Sequence, residues 1–184
     1  MDKSYKPGYF CLYDRAYRLC SNTPTSFLFH RSFMKSLLVI YHSQSGACAG
    51  LARSASLGAS VETACETRVC RACDASVEDL ALADGLLLVA AENSGALAGG
   101  MKDFLDRTFY PAIEQNLMLP YALLISAGND GRGAVAQASR ILSGYPFRAA
   151  TEPVILRGEV TPSHCVVSEE LGLAFATGLV MGIF

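Results

Sequence analysis

The 184-residue sequence has no tryptophan, few charged residues (17%) and no cluster of lysines and arginines. It also lacks a Gly-Lys-Ser/Thr phosphate loop and a Gly-x-Ser-x-Gly nucleophile motif. These absences argue against nucleic-acid binding, magnesium-dependent nucleotide hydrolysis and serine-hydrolase chemistry. The apolar stretch over residues 171–184 is interrupted by glycines and is shorter than the ~20 residues that cross a bilayer. We therefore predict a soluble protein that does not insert into membranes.

The seven cysteines are an odd number scattered through a chain that is 51% hydrophobic. Such a chain can form a core without disulfides, so we interpret the cysteines as reduced thiols and predict a cytoplasmic location. Cys70 and Cys73 form a lone Cys-x-x-Cys, a spacing found in redox pairs and in half of a zinc site. No second pair follows, so we favour two independent apolar side chains and predict no metal site.

The chain divides by composition into residues 1–33 and residues 34–184. Residues 1–33 carry a charge of +3, which leaves −5 for the remainder, and they show no clean periodicity. We predict a weakly ordered N-terminal extension or a non-native start; a docking arm or targeting peptide is the alternative.

From residue 36 onward, short apolar runs alternate with segments of helical length. The predicted strands are residues 37–41, 67–72, 85–91, 121–127 and 153–158. The predicted long helices are residues 47–64, around 101–109, 133–142 and 168–181. Ser76 and Asp79 predict the start of a further short helix. Pro111 is predicted to limit the helix around residues 101–109. Strands that are apolar throughout are buried on both faces. We therefore predict an α/β domain, a doubly wound five-stranded parallel sheet with helices on both faces.

In this architecture, ligands bind beyond the carboxyl ends of the strands. The loop after the first strand reads HSQSGACAG, and the helix that follows it would present unpaired N–H groups and the positive end of its dipole. Ser43 and Ser45 add hydroxyl donors. The loop is thus either an anion-binding turn or an ordinary polar helix start, and the residues alone leave both readings open. His42, the first residue of this stretch, either contacts a ligand or makes a local hydrogen bond.

Two further loops lie at the same predicted edge. AAENSGALAGG follows the third strand and offers Glu92 and Asn93 as polar partners for a flat heterocycle, and AGNDGRGA follows the fourth strand. Their glycines permit a close approach of backbone to a ligand, or simply flexibility.

Three segments together resemble the flavodoxin-like family, especially its NAD(P)H:quinone and NADPH-dependent FMN reductase branch. They are VIYHSQSGACAGLA, ADGLLLVAAENSGALAGGMKDFLDRTFYP and ISAGNDGRGA, and the resemblance extends over nearly all of residues 34–184. It implies a first loop that binds the FMN phosphate and second and third loops that line the isoalloxazine ring. The residues so implied are Ser43, Gln44, Ser45, Gly46, Ala47 and Cys48, then Glu92, Asn93, Ser94 and Gly95, and finally Gly128, Asn129, Asp130 and Gly131.

Two departures from the family pattern predict weakened FMN binding. Cys48 stands where the family usually has Thr or Ser, and residues 94–98 supply no aromatic side chain to stack on the flavin. The resemblance implies an oxidoreductase with NAD(P)H as donor and a quinone or another small acceptor as substrate. No catalytic side chain is predicted, because the flavin carries the chemistry. A flavodoxin-type electron carrier and a flavin-free binding protein are the alternatives, and formation of a homo-oligomer is left open.

Overall fold

The computed structural model describes residues 34–184, and the following account concerns these residues. The predicted N-terminal extension, residues 1–33, lies outside them. Seven strands occur in the described part: β1 (Lys35–Tyr41), β2 (Cys65–Arg71), β3 (Gly85–Asn93), β4 (Ala96–Leu97), β5 (Pro120–Ala127), β6 (Arg148–Ala149) and β7 (Val154–Arg157). Five helices accompany them: α1 (Ala47–Ala59), α2 (Val77–Ala81), α3 (Gly99–Glu114), α4 (Arg132–Leu142) and α5 (Pro162–Met181).

The strands form a sheet in the order β2-β1-β3-β5-β6, in which every neighbouring pair is parallel. β7 also pairs with β5 in parallel, further along the same edge. β6 and β7 together occupy the fifth position, and β4 forms only a short antiparallel hairpin with β3. The predicted five-stranded parallel sheet is confirmed, with its last strand divided in two.

Helices cover both faces of the sheet, as predicted. Side chains alternate along β1, so that Leu37 and Val39 face α1 and α5 while Leu38 and Ile40 face α2, α3 and α4. Each of these four side chains is at most 1% exposed. Burial on both faces explains why the strand sequences are apolar throughout instead of alternating.

The prediction that Pro111 limits the third helix is wrong, because α3 continues to Glu114. Proline has no N–H and so removes one hydrogen bond from a helix interior. Here the next residue, Ala112, is completely buried in the core, and the Gln115 N–H donates to the Pro111 carbonyl at 3.1 Å. Tertiary packing and the last turn therefore offset the missing bond.

Two predicted helix boundaries were also wrong. α1 ends at Ala59 instead of residue 64, because the chain turns back to start β2, where Cys65 pairs with Lys35. α5 begins at Pro162, six residues before the predicted start. Its N-cap is Thr161, whose Oγ1 accepts from the His164 N–H at 3.4 Å, and proline is well suited to the first helical position.

The earlier start makes α5 a 20-residue helix that is long and apolar enough, by length and composition, to cross a membrane. One such helix is weak evidence for a membrane span, because the core helices of soluble proteins meet the same criteria. Here Phe175, Ala176 and Leu179 are buried against the sheet, and the backbone at Gly172 packs directly on α1. α5 thus packs one face on the sheet and on α1, and 33% of its apolar stretch is buried.

Candidate functional site

A cavity of about 630 Å³ opens at the carboxyl edge of the sheet, among the loops that follow β1, β3, β5 and β7. The helices after β1 and β3, α1 and α3, lie on opposite faces of the sheet. Adjacent strands whose connections diverge in this way leave a crevice, which is the usual ligand site of a doubly wound sheet. The cavity therefore lies where the sequence analysis placed a ligand.

The first loop leads directly into the N-terminus of α1. Gly46 is the N-cap residue, with a φ of 95° that favours glycine. Within the described residues no side chain caps this helix, and its first turn contains no acidic residue. The Ser43 Oγ accepts from the Gly46 N–H at 3.1 Å, and Ser45 is exposed beside it. Uncapped N–H groups and the positive helix end suit an anion.

The second loop is a β-hairpin, a feature that the sequence analysis missed. β3 and β4 are joined by Ser94 and Gly95, whose φ values of 52° and 76° match those of a tight two-residue turn. The Ser94-Gly95 dipeptide, a common turn sequence, was the sequence signal that could have predicted the hairpin. The hairpin is connected to α4, because the Leu97 N–H donates to Oε1 of Gln137 on that helix at 2.8 Å.

Glu92 lines the cavity, but its carboxylate is engaged by α4 instead of pointing freely towards a ligand. Oε2 accepts from the Gly131 N–H at 3.2 Å, and Oε1 accepts from the Ala134 N–H at 3.4 Å. Glu92 therefore caps α4 and connects the second loop to the third. The Asn93 side-chain amide also approaches Gln44 Oε1 at 3.5 Å and connects the second loop to the first.

The structure brings eight of the fourteen predicted site residues to the cavity wall: Ser43, Gln44, Ser45, Ala47, Cys48, Glu92, Asn93 and Gly128. The other six do not line it. Gly46 forms the helix N-cap, Ser94 and Gly95 form the hairpin tip, and Asn129, Asp130 and Gly131 lead into α4. Asp130 accepts from the Arg132 N–H at 3.0 Å, so much of the third loop serves to start a helix.

No family model matches the sequence, and no curated protein is similar to it in sequence. Solved structures nevertheless share its architecture. A flavodoxin from the domain Archaea superposes with a TM-score of 0.67 at 17% identity, over 78% of this chain and 98% of the other. A WrbA-like flavodoxin from Agrobacterium tumefaciens gives 0.63 at 13% identity, over 80% and 98%. The fold is flavodoxin-like.

A third similar structure is rubredoxin oxygen:oxidoreductase from Desulfovibrio gigas, with a TM-score of 0.69 at 12% identity. The match covers 85% of this chain but only 39% of that protein, so the present chain corresponds to one part of it. Within residues 34–184, no group of three or more His, Cys, Asp or Glu side chains is placed to hold a metal ion. At these identities the likeness establishes the flavodoxin-like fold but not the reductase branch.

Six residues of the cavity wall were not assigned from the sequence: His42, Ala91, Ser126, Gly158, Glu159 and Val160. The loop after residue 158 follows the fifth predicted strand, residues 153–158, and therefore falls at the edge where ligands were expected, but none of its residues was selected. Composition gave no reason to choose Glu159 over other exposed carboxylates. Its position is determined by the pairing of β7 with β5.

Cys48 occupies the cavity wall and is also 1% exposed, packed within the apolar cluster beneath α1. Burial raises the pKa of its thiol to about 11. At neutral pH it is therefore a protonated thiol, which is a weak hydrogen-bond donor.

The five cysteines of the described part, Cys48, Cys65, Cys70, Cys73 and Cys165, are all unpaired. Cys70 and Cys73 have separate partners. The Cys70 thiol donates to the Arg71 carbonyl at 3.6 Å, and the Cys73 thiol donates to Asp74 Oδ1 at 3.5 Å. Both contacts are local, consistent with two independent side chains.

Proposed function

We propose that this protein binds FMN in the cavity at the carboxyl edge of its sheet and acts as a flavin-dependent oxidoreductase. The observation that carries the proposal is the uncapped N-terminus of α1 beside Ser43 and Ser45. α4 and α5, whose preceding loops also line the cavity, have Glu92 and Thr161 as side-chain partners for their first N–H groups. α3 has no side-chain cap among the described residues, but none of its residues lines the cavity. An exposed, uncapped helix start among hydroxyl donors is suited to a phosphate group.

The residues present fit FMN in size and in chemistry. A cavity of about 630 Å³ is within the range of cofactor sites. Main-chain N–H groups and the serine hydroxyls would hold the phosphate without a lysine, and Gly128 would leave room for the ring near the hairpin. Asn93 would offer an amide to the ring edge. When bound, the flavin supplies hydride and electron transfer.

The protein would orient the cofactor and shield one side of it. The hairpin is well suited to this task, because Glu92 and Gln137 hold it against α4 from two directions. We propose NAD(P)H as the electron donor and a quinone or a similar small molecule as the acceptor, in the cytoplasm. The second candidate is an electron carrier, favoured by the coverage of 98% of an archaeal flavodoxin's own chain.

Titration of the purified full chain into FMN tests the proposal. We expect quenching of flavin fluorescence and a rise in melting temperature, since a ligand at 100 times its Kd adds about 2.7 kcal/mol of stability. NADH and NADPH oxidation is then followed with a quinone present. Turnover supports the oxidoreductase, and binding without turnover supports the carrier. Absence of both quenching and thermal shift would contradict FMN binding altogether.

A further inference from the structure

His42 lies at the point where the first loop leaves the sheet. His42 is one residue beyond the end of β1, and Ser43 follows it immediately. The main-chain N–H of His42 donates to the Val89 carbonyl at 3.1 Å. His42 is one of the residues that line the cavity. Its Nε2 is buried and has no hydrogen-bond partner among residues 34–184. The imidazole is therefore held in place by packing.

The surface on which the imidazole rests is the backbone of Gly100, the second residue of α3. A Cβ added at this position would overlap Cε1 and Nδ1 of His42 and would lie 3.0 Å from its Cγ. The neighbouring Gly99 is different, because a Cβ there would have no described atom within 4 Å. Only the glycine at position 100 is thus required to seat the ring.

The start of α3 cannot move away to make room. Ala98 and Met101, on either side of this glycine pair, are completely buried, and the Ala98 N–H donates to the Ala91 carbonyl at 2.9 Å. Because protein interiors are close-packed, the strain of a side chain at position 100 would fall on the imidazole. Ser43 follows His42 directly, so a shift of the His42 main chain that relieved this strain would displace Ser43 and the turn that leads into α1.

We propose that His42 is a positioning residue for the phosphate site, acting through its contact with Gly100. The inference rests on the proposed FMN function and extends it to the α3 side of the loop. The ring acts by shape: seated on the glycine, it determines the direction in which the chain departs from β1. The direction of the chain after β1 in turn determines where the Ser43 hydroxyl and the first N–H groups of α1 lie.

Five full-length proteins test this: the wild type, Gly100→Ala, Gly99→Ala, His42→Ala and the double variant with His42→Ala and Gly100→Ala. FMN affinity is measured by fluorescence titration, and folding by circular dichroism and thermal melting without FMN. We expect Gly100→Ala to weaken FMN binding about tenfold or more, as for loss of one hydrogen bond to a charged group. Gly99→Ala, with the same change one residue earlier, should bind within about twofold of the wild type.

The double variant separates positioning from a general effect on α3. Once the imidazole is gone, the alanine at position 100 has nothing to displace, so the double variant should bind FMN as His42→Ala does. An equal loss from Gly100→Ala in both backgrounds, or wild-type affinity in Gly100→Ala, would overturn the inference alone. If Gly100→Ala does not fold, restored folding in the double variant supports the contact, and its failure to fold overturns it. A wild type that binds no FMN overturns the proposed function, and this inference with it.

Discussion

Cys48 is a single residue whose side chain belongs to both the cavity wall and the apolar core. It is the second residue of α1, so a hydroxyl at this position would lie beside the N–H groups that we propose bind phosphate. A buried thiol with a pKa of about 11 contributes little hydrogen bonding there. The residue therefore favours core packing over ligand binding.

A comparison of Cys48→Thr with Cys48→Val isolates the contribution of a hydroxyl, because threonine and valine have nearly the same shape. We expect Cys48→Thr to bind FMN about tenfold more tightly than Cys48→Val, which corresponds to about 1.4 kcal/mol. Without FMN, Cys48→Thr should be the less stable of the two by about 1–3 kcal/mol, since it places a polar group in the apolar cluster beneath α1. Fluorescence titration and urea denaturation measure these two effects. Equal FMN affinities would show that position 48 does not contact the phosphate.

Single-residue roles were predictable where they depend on local sequence. Ser43 and Ser45 follow a recognisable strand and precede a helix, and both line the cavity. The role of Glu92 was not predictable, because its hydrogen-bond partners are some 40 positions further along the chain, at Gly131 and Ala134. A carboxylate beside a cavity and a carboxylate that caps a distant helix look alike in sequence.

At the scale of elements, α1 and α5 pack so closely that their backbones touch. A Cβ on Gly58 would overlap the Glu169 carbonyl, and one on Gly172 would overlap the Ala55 carbonyl. The buried Ser168 Oγ donates to the Leu51 carbonyl at 2.7 Å across the same contact. Small residues on both helices therefore allow α5 to cover the sheet beside α1.

Gly58→Ala should destabilise the protein, although alanine is the better helix former. We expect a loss of about 1–3 kcal/mol from overpacking against the α5 backbone. Gly50→Ala in the same helix is the matched control, because an added Cβ there has no described atom within 4 Å. It should stabilise by up to about 1 kcal/mol. Urea denaturation measures both changes, and a stabilising Gly58→Ala would show that the helices are further apart than described.

Elements were predictable where hydrophobic periodicity is strong and less so at their ends. All five parallel strand positions were identified, whereas the end of α3 was misplaced because the burial of Ala112 outweighs the local effect of Pro111. The hairpin at Ser94 and Gly95 was missed because β4 has only two residues and no periodicity of its own.

At the scale of the whole molecule, Asp79 connects the edge strand β2 to α2. It accepts from Arg68 Nη1 at 2.6 Å and from the Ser76 N–H at 2.8 Å, and it completes the predicted capping box. Burial by itself would raise the pKa of Asp79, but the hydrogen bonds from Ser76 and Arg68 outweigh burial and lower it. The ionised carboxylate is thus the form that stabilises the fold.

Stability should consequently fall in acid. A carboxyl whose pKa is lowered by folding contributes fully above its unfolded value of about 3.9, and that contribution is lost as the pH falls through the folded value. We expect Asp79→Asn to cost about 1–2 kcal/mol at pH 7 and much less at pH 3. Glu66→Gln removes an exposed carboxylate on β2 and should have little effect at either pH. Urea midpoints at the two pH values measure this, and an equal cost at both would contradict it.

The sequence by itself determined the class of the fold and the edge of the sheet that carries the site. Continuous apolar strands between helices require a covered parallel sheet, and in such a sheet all loops of one kind meet at one edge. Tertiary structure alone decided that the His42 ring is seated on Gly100, that Glu92 caps α4 and that Cys48 is buried. These outcomes depend on contacts between residues that are distant in the chain. Local sequence patterns do not indicate which distant residues will pack against a given side chain.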